Sequence, residues 1–565
     1  MTDPNPLPST TDAHQILDRR TAAAIVDPPR TFAAIIRQIG PGLIIAANIV
    51  GSGELIMSTK TGAEAGIVLL WLILLGCVVK VFVQLELGRF TISHGETTLS
   101  SLNRVPGPSV AGVNWVVMFW AFMMFTTVAQ LGGIVGGVGQ ALALTLPITG
   151  DMQTAVSVPP EADICALADW QLLKQGLAAV NDSPLPHPVD GDPELIARTE
   201  RRMAWVERDL NDRGELGIQL LNLAREGKAL TTADGEPLIP THTMDDRIWV
   251  TLIGILTSCL LYVGRYWLIE RLSVGLVVSF SLITMGNVIA LQMTGDYALS
   301  LDTIMSGLSF QLPSGEKGIA TALATFGIIG VGATELVSYP YWCLEKGYAR
   351  SAGPREQTDA WLLRAKGWFR VMKFDAFASM VIYTIATAAF YLMGVAVLHS
   401  DGRNPEGMRM VSTLAQSYVP IFGAYARWLF LAGAIAVLYS TYLVANASNA
   451  RMVADFLGVI GLTSRDPESE TSRRTVRLLS AGLPLACVAV FILFPSPVHL
   501  VAIAGFTQCV MLPILGLCSL YFRYRVTDQR LMSGRLWDLL LLISCLALLI
   551  AGTYGAVTAF GKIFS

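Results

Sequence analysis

Runs of roughly 20 consecutive apolar residues recur along most of this chain, the length that carries an α-helix across a hydrocarbon core at 1.5 Å per residue. The pattern predicts about eleven membrane-crossing helices. They fall at 38–65 (helix 1), 66–88 (helix 2), 113–147 (helix 3), 248–267 (helix 4), 271–293 (helix 5) and 317–349 (helix 6). The rest follow at 373–398 (helix 7), 424–455 (helix 8), 476–494 (helix 9), 498–522 (helix 10) and 536–558 (helix 11). The expected architecture is therefore an all-α polytopic membrane protein. Its parts are an N-terminal tail at 1–37, helices 1–3 within 38–147, a polar insertion at 148–247 and helices 4–11 within 248–565.

Composition sharpens this reading. Of 565 residues, 53% are hydrophobic and 15% charged, with a mean hydropathy of +0.53. That is more apolar surface than a soluble domain can hide, so the lipid bilayer is the first partner implied. A net charge of −3 gives no global attraction to nucleic acid, and no nucleic-acid motif occurs. Eight cysteines are scattered without a CxxC pair, and Cys165 stands alone in the insertion. The first 30 residues lack a signal-type apolar stretch, so helix 1 is expected to direct insertion.

Basic residues set the expected orientation. Arg19, Arg20, Arg30 and Arg37 precede helix 1, and Lys346, Arg350, Arg355, Arg364, Lys366, Arg370 and Lys373 lie between helices 6 and 7. Arg465, Arg473, Arg474 and Arg477 precede helix 9, and Arg523, Arg525, Arg530 and Arg535 separate helices 10 and 11. Eleven spans put all of these on one side, the cytoplasm, in a cell membrane. The N-terminus is then cytoplasmic and the C-terminus outside. Residues 151–246, with 18 acidic against 8 basic side chains, are then extracytoplasmic. There Asp192-Pro193-Glu194 reads as a helix start, and the stretch through Lys228 as solvated helix or a helical hairpin. The insertion suits a structural cover, or a docking module for an extracytoplasmic partner.

Two spans contain residues that a membrane helix does not welcome. Helix 1 carries Gly51-Ser52-Gly53-Glu54 in mid-span, and helix 6 carries Gly332-Ala333-Thr334-Glu335-Leu336-Val337-Ser338-Tyr339-Pro340. A glycine costs about 1 kcal/mol against alanine in a helix interior, and a mid-membrane carboxylate costs several unless it faces protein or water. Unwinding is expected at both places. Helices 1 and 6 open two sets of five spans, and interrupted helices at matching positions mark the substrate site of inverted-repeat transporters. Close packing on small residues explains the glycines but not the carboxylates. Lys80, Gln84 and Glu86 are expected near the inner end of helix 2. Gln130, Asn446, Asn449 and Gln508 are expected to line the cavity or to form interhelical hydrogen bonds.

Several of these segments resemble a known family. Gly40-Pro41-Gly42, Thr61-Gly62-Ala63-Glu64-Ala65-Gly66, Leu312-Pro313-Ser314-Gly315-Glu316 and Gly332-Ala333-Thr334 look like the Nramp divalent-metal transporters, over about 38–525 without the insertion. The resemblance implies the leucine-transporter fold, with helices 1–5 and 6–10 as inverted repeats. The family's Asp-Pro-Gly-Asn falls on Gly51, Ser52, Gly53 and Glu54, and its Met-Pro-His on Leu336, Val337 and Ser338, so its metal-binding side chains are replaced. No Asp or Glu occurs between Gly107 and Gly150, where the family has acidic residues of a proton pathway, and all six histidines are expected outside the spans. The chain reads as a divergent branch.

What remains at the breaks is oxygen. Glu54 and Glu335 are the candidate metal ligands, and Gly51, Ser52, Gly53, Ala333, Thr334, Leu336 and Ser338 complete the candidate substrate site. Oxygen suits hard cations such as magnesium better than iron or copper. Restoring aspartate at Gly51 and methionine at Leu336 is then expected to raise transition-metal affinity. An alternative is a small organic carboxylate held by the Gly-Ser-Gly amides, against which Glu54 argues by repulsion. A non-transporting receptor or scaffold is a third class. No enzyme constellation stands out, and no cofactor is implied beyond a divalent cation as substrate.

Overall fold

A computed structural model describes residues 25–189, 191–232, 234–240, 242–263, 266–313, 316–466 and 469–564. Nine helical stretches among the described residues are long and apolar enough to cross a membrane. One of them, Pro41–His94, runs over both helix 1 and helix 2. It is divided at Gly66, whose φ of 63° only glycine adopts without strain. A 3₁₀ turn over Gly66–Leu69 then leads into helix 2, Leu70–His94. Helix 5 is observed at Tyr266–Leu291, so the eleven helices of the sequence pattern are all present. Among the described residues, strand is confined to a hairpin pairing Ser109–Val110 with Val113–Asn114.

Helices 3, 8 and 10 (Trp115–Thr145, Ala426–Val459 and Pro497–Tyr521) enclose the centre together with helices 1, 2, 6 and 7. Residues from all of them form one continuous apolar core. The large side chains at the rim point outward. Phe125, Leu252, Leu282, Val381, Leu485, Ile503 and Leu546 are exposed, as a lipid-facing belt requires.

Helix 1 does not unwind at Gly51-Ser52-Gly53-Glu54. It passes from α-helix (Pro41–Ile49) into nine residues of π-helix (Val50–Ser58) and back to α-helix (Thr59–Ala65). Wider turns accommodate the glycines while keeping most backbone groups bonded, and Ser58 Oγ donates to the Gly53 carbonyl at 3.1 Å. Helix 6 does break, but earlier than its motif suggested. Its first half, helix 6a, is Glu316–Ile328, and its second, helix 6b, is Ala333–Lys346. The turn between them needs Gly330 at φ 57°. Pro340 lies within helix 6b, and the neighbouring Val337 carbonyl accepts from Thr98 Oγ1 at 2.9 Å.

The insertion folds on itself. Helices Glu161–Lys174, Pro193–Asn211 and Glu215–Arg225 share a core of Ile164, Leu167, Trp170, Met203, Val206 and Leu220, while helix Asp151–Ser157 packs through Met152 on the main core. It packs on the 7–8 loop, where the Arg403 guanidinium lies 4.5 Å from the Trp205 ring and Arg409 donates to the Ala155 carbonyl at 3.0 Å. Arg198 reaches the Ala63 carbonyl of helix 1 at 3.3 Å.

Candidate functional site

The centre of the molecule is organised around the break in helix 6. Where helix 6a stops, its final carbonyls lose their helical donors, and where helix 6b starts, its first amides lack acceptors. Each group described below answers one of those needs.

Lys80 of helix 2 donates to the carbonyls of Phe326 and Ile329, the latter at 2.8 Å. Its side chain is completely buried, so it is a central residue rather than one near the inner end of helix 2. Glu54, also fully buried, accepts from Gly330 N at 3.2 Å and Thr387 Oγ1 at 2.8 Å. Lys80 and Glu54 thus hold the carbonyl and the amide of one peptide unit, Ile329–Gly330, which point in opposite directions in a trans peptide. One charge of each sign is absorbed by a single break. Sequence inspection treated these residues separately because the peptide that joins them lies on a third helix.

Helix 6b begins at the N-cap Gly332. Gln508 of helix 10 accepts from Thr334 N at 3.3 Å and donates to Gln130 Oε1 of helix 3 at 2.8 Å, while Thr127 and Thr334 share a hydroxyl contact of 3.3 Å. Gln130 and Gln508 are therefore interhelical hydrogen-bonding partners. Glu335, at the third position of helix 6b, folds back so that a Cβ on Gly332 would lie 2.5 Å from its Oε2, the placement of an acidic residue in a capping box. Its Oε1 accepts from Asn48 Nδ2 of helix 1 at 2.7 Å. Asn48 Oδ1 and Glu54 Oε2 are buried acceptors left without a donor. Glu335 itself is half-buried among buried neighbours.

The remaining candidates are filled with protein. A Cβ on Gly51 would sit 2.1 Å from Thr441 Oγ1 of helix 8, and one on Gly53 would sit 3.0 Å from the Ile328 carbonyl. An aspartate at Gly51 would therefore require Thr441 or one of the two helices to shift. Ser52 lies in the π-helical turn, and its side chain is outside the described residues. Ala333 and Leu336 are completely buried in apolar packing. Ser338 donates to the Glu335 carbonyl at 3.4 Å and is turned into its own helix. Among the described residues no three His, Cys, Asp or Glu side chains gather into a metal-binding group.

Other polar residues serve the frame. Asn446 donates to Tyr442 within helix 8, and both amide atoms of Asn449 are buried without partners. Glu86 accepts from Arg523 at 3.1 Å towards the C-terminal end of helix 2, apart from Lys80. Asp375 of helix 7 (Asp359–Met393) accepts from the amides of Gly40 at 2.9 Å and Gly42 at 2.6 Å and from Tyr339 at 3.1 Å, capping helix 1. Three histidines lie in the terminal turns of spans, not outside them: His94, His399 and His499. Sequence reasoning missed Asn48, Asp375 and Thr387. A polar residue in the run Ile44–Val50 signalled Asn48, and the lone carboxylate in the apolar run 373–398 signalled Asp375, whereas nothing marked Thr387.

The family model for Nramp, the natural resistance-associated macrophage protein-like family, matches residues 232–558, more than half of the chain. The chain belongs to the Nramp family. The match begins after the first three helices, on which the replaced Asp-Pro-Gly-Asn motif lies. No curated protein matches the sequence. Among solved structures, a histidine-to-alanine variant of the Eremococcus coleocola manganese transporter is similar at 14% identity, covering 95% of this chain and 90% of that one, with a TM-score of 0.53. A glutamate-to-alanine variant gives the same identity and coverage with a TM-score of 0.50. This Nramp protein therefore has the leucine-transporter fold, and its interrupted helices 1 and 6 occupy corresponding places in the two repeats.

Proposed function

We propose that this Nramp-family protein is a secondary transporter that moves a hard divalent cation by alternating access, magnesium-like in preference to iron or manganese. Glu335 carries the reading. Glu54 shares its peptide unit with the Lys80 ammonium, but the hydrogen-bonding partner of Glu335 is the neutral Asn48 amide. A half-buried carboxylate at membrane depth whose hydrogen-bonding partner is neutral can hold a mobile cation, with the Lys80 ammonium as the competing charge. The donors nearest it, Asn48 Oδ1 and the Glu335 carboxylate, are oxygens, which favour hard ions. Leu336 supplies no thioether for a softer one. The manganese transporter of similar fold supports metal as cargo, while the ligand chemistry supports the harder ion.

The organic-carboxylate alternative loses its binding loop, because Thr441 and the Ile328 carbonyl occupy the space beside Gly51 and Gly53. Sidedness follows the basic loops, with residues 151–246 outside and the 350–372 loop in the cytoplasm. Uptake into liposomes of purified protein, over magnesium, manganese, calcium and a panel of amino acids, tests the proposal. Saturable magnesium uptake with at least a ten-fold loss of affinity in Glu335→Gln is expected. Amino-acid uptake without divalent uptake refutes it, and no transport of any kind selects the scaffold reading.

A further inference from the structure

Helix 6a ends in the middle of the bundle, where the negative pole of its dipole and its last unbonded carbonyls lie. The carbonyls of Phe326 and Ile329 converge on one point, and the face of the Phe326 ring lies 4.8 Å from it. Freed carbonyls at a half-helix end are what unwound transporter helices use to hold a monovalent cation, and an aromatic face adds to the attraction. Here the point is taken by the ammonium of Lys80, completely buried. Helix 2 delivers it through small residues. A Cβ on Gly330 would lie 2.9 Å from Cys77 Cα, and one on Gly76 would lie 2.8 Å from Ile329 Cδ1, so the two backbones touch one turn from Lys80.

We propose that Lys80 is a tethered cation that permanently fills a monovalent-cation site formed by the Phe326 and Ile329 carbonyls. The ion at this half-helix end belongs to the chain and does not travel with substrate. Glu54, on the amide side of the same peptide, and Glu335 are the carboxylates that face its charge. Removing the side chain should empty a site that a free cation of similar size can refill.

Thermal melting of the purified protein in detergent tests this, in the chloride salts of choline, sodium, potassium, ammonium and methylammonium at equal ionic strength. The wild type should melt at one temperature in all five. Lys80→Ala should melt lower in choline and rise saturably, at millimolar concentration, with at least one of the smaller cations. Lys80→Met, which fills the space with a neutral chain, should melt lower without recovery. A Lys80→Ala protein that responds to the five salts no more than the wild type overturns the proposal. So does Lys80→Met melting like the wild type, or Lys80→Ala that is not recovered folded in any of the salts. Divalent uptake plays no part in this readout, so failure here leaves the transport reading standing.

Discussion

Replacing Gly51 with aspartate should destabilise the protein and create no metal site. The new Cβ would lie 2.1 Å from Thr441 Oγ1, 2.6 Å from its Cβ and 3.2 Å from its Cγ2, so helix 1 or helix 8 must move. Overpacking of a well-filled interior costs about 1–3 kcal/mol. Moving Thr441 also strains its 3.1 Å hydrogen bond to the Ala47 carbonyl, worth about 1 kcal/mol. The steric part alone comes to about 2–4 kcal/mol, and an unpaired carboxylate adds to it. Thermal melting of Gly51→Ala and Gly51→Asp separates the two contributions, since alanine brings the clash without the charge. In Gly51→Ala/Thr441→Gly the steric part should be recovered, because all three opposing atoms are gone. Wild-type melting of Gly51→Ala would refute the packing argument. Tight manganese binding gained by Gly51→Asp, measured by calorimetry, would refute the claim that the space is unavailable.

Glu54→Gln should fold, because an amide oxygen can accept from Gly330 N and Thr387, whereas Glu54→Ala leaves that amide without an acceptor and should lose about 1–3 kcal/mol in a melting assay. Asp375→Asn keeps one acceptor oxygen for two amides and a phenol, so a loss of about 1.5–3 kcal/mol is expected, and wild-type melting would remove Asp375 as the cap of helix 1. Outside the membrane, hydrogen bonds from Arg530 hold the Asp528 carboxyl down at about 2. A depressed folded-state value stabilises above the unfolded value and is lost as pH falls, so the melting temperature should drop between about pH 4 and pH 2, less steeply in Asp528→Asn. Single cysteines at the exposed positions Lys228 and Gln357 should react with impermeant reagent from opposite sides of the membrane, and labelling from one side would refute the topology.

The apolar runs by themselves determined the membrane class and the number of helices, and the glycines and carboxylates within them marked which two helices are irregular. A bilayer leaves so few ways to satisfy a backbone that hydropathy alone reports them. The family was legible too, in short segments such as Gly332-Ala333-Thr334, although its metal-binding residues had gone. Sequence could not determine how each interruption is resolved. Helix 1 widens into π-turns where Thr441 and the Ile328 carbonyl close over Gly51 and Gly53, and both belong to other helices. Nor could it determine which polar residues serve the fold and which face a path. Glu54 and Glu335 look alike in the chain. Only the packed bundle gives one of them a backbone amide, with a lysine on the other side of that peptide, and gives the other a neutral asparagine as its hydrogen-bonding partner and a half-buried position. The physical reason is that a buried charge is read through its partners, and every partner at this centre arrives from a helix distant in sequence.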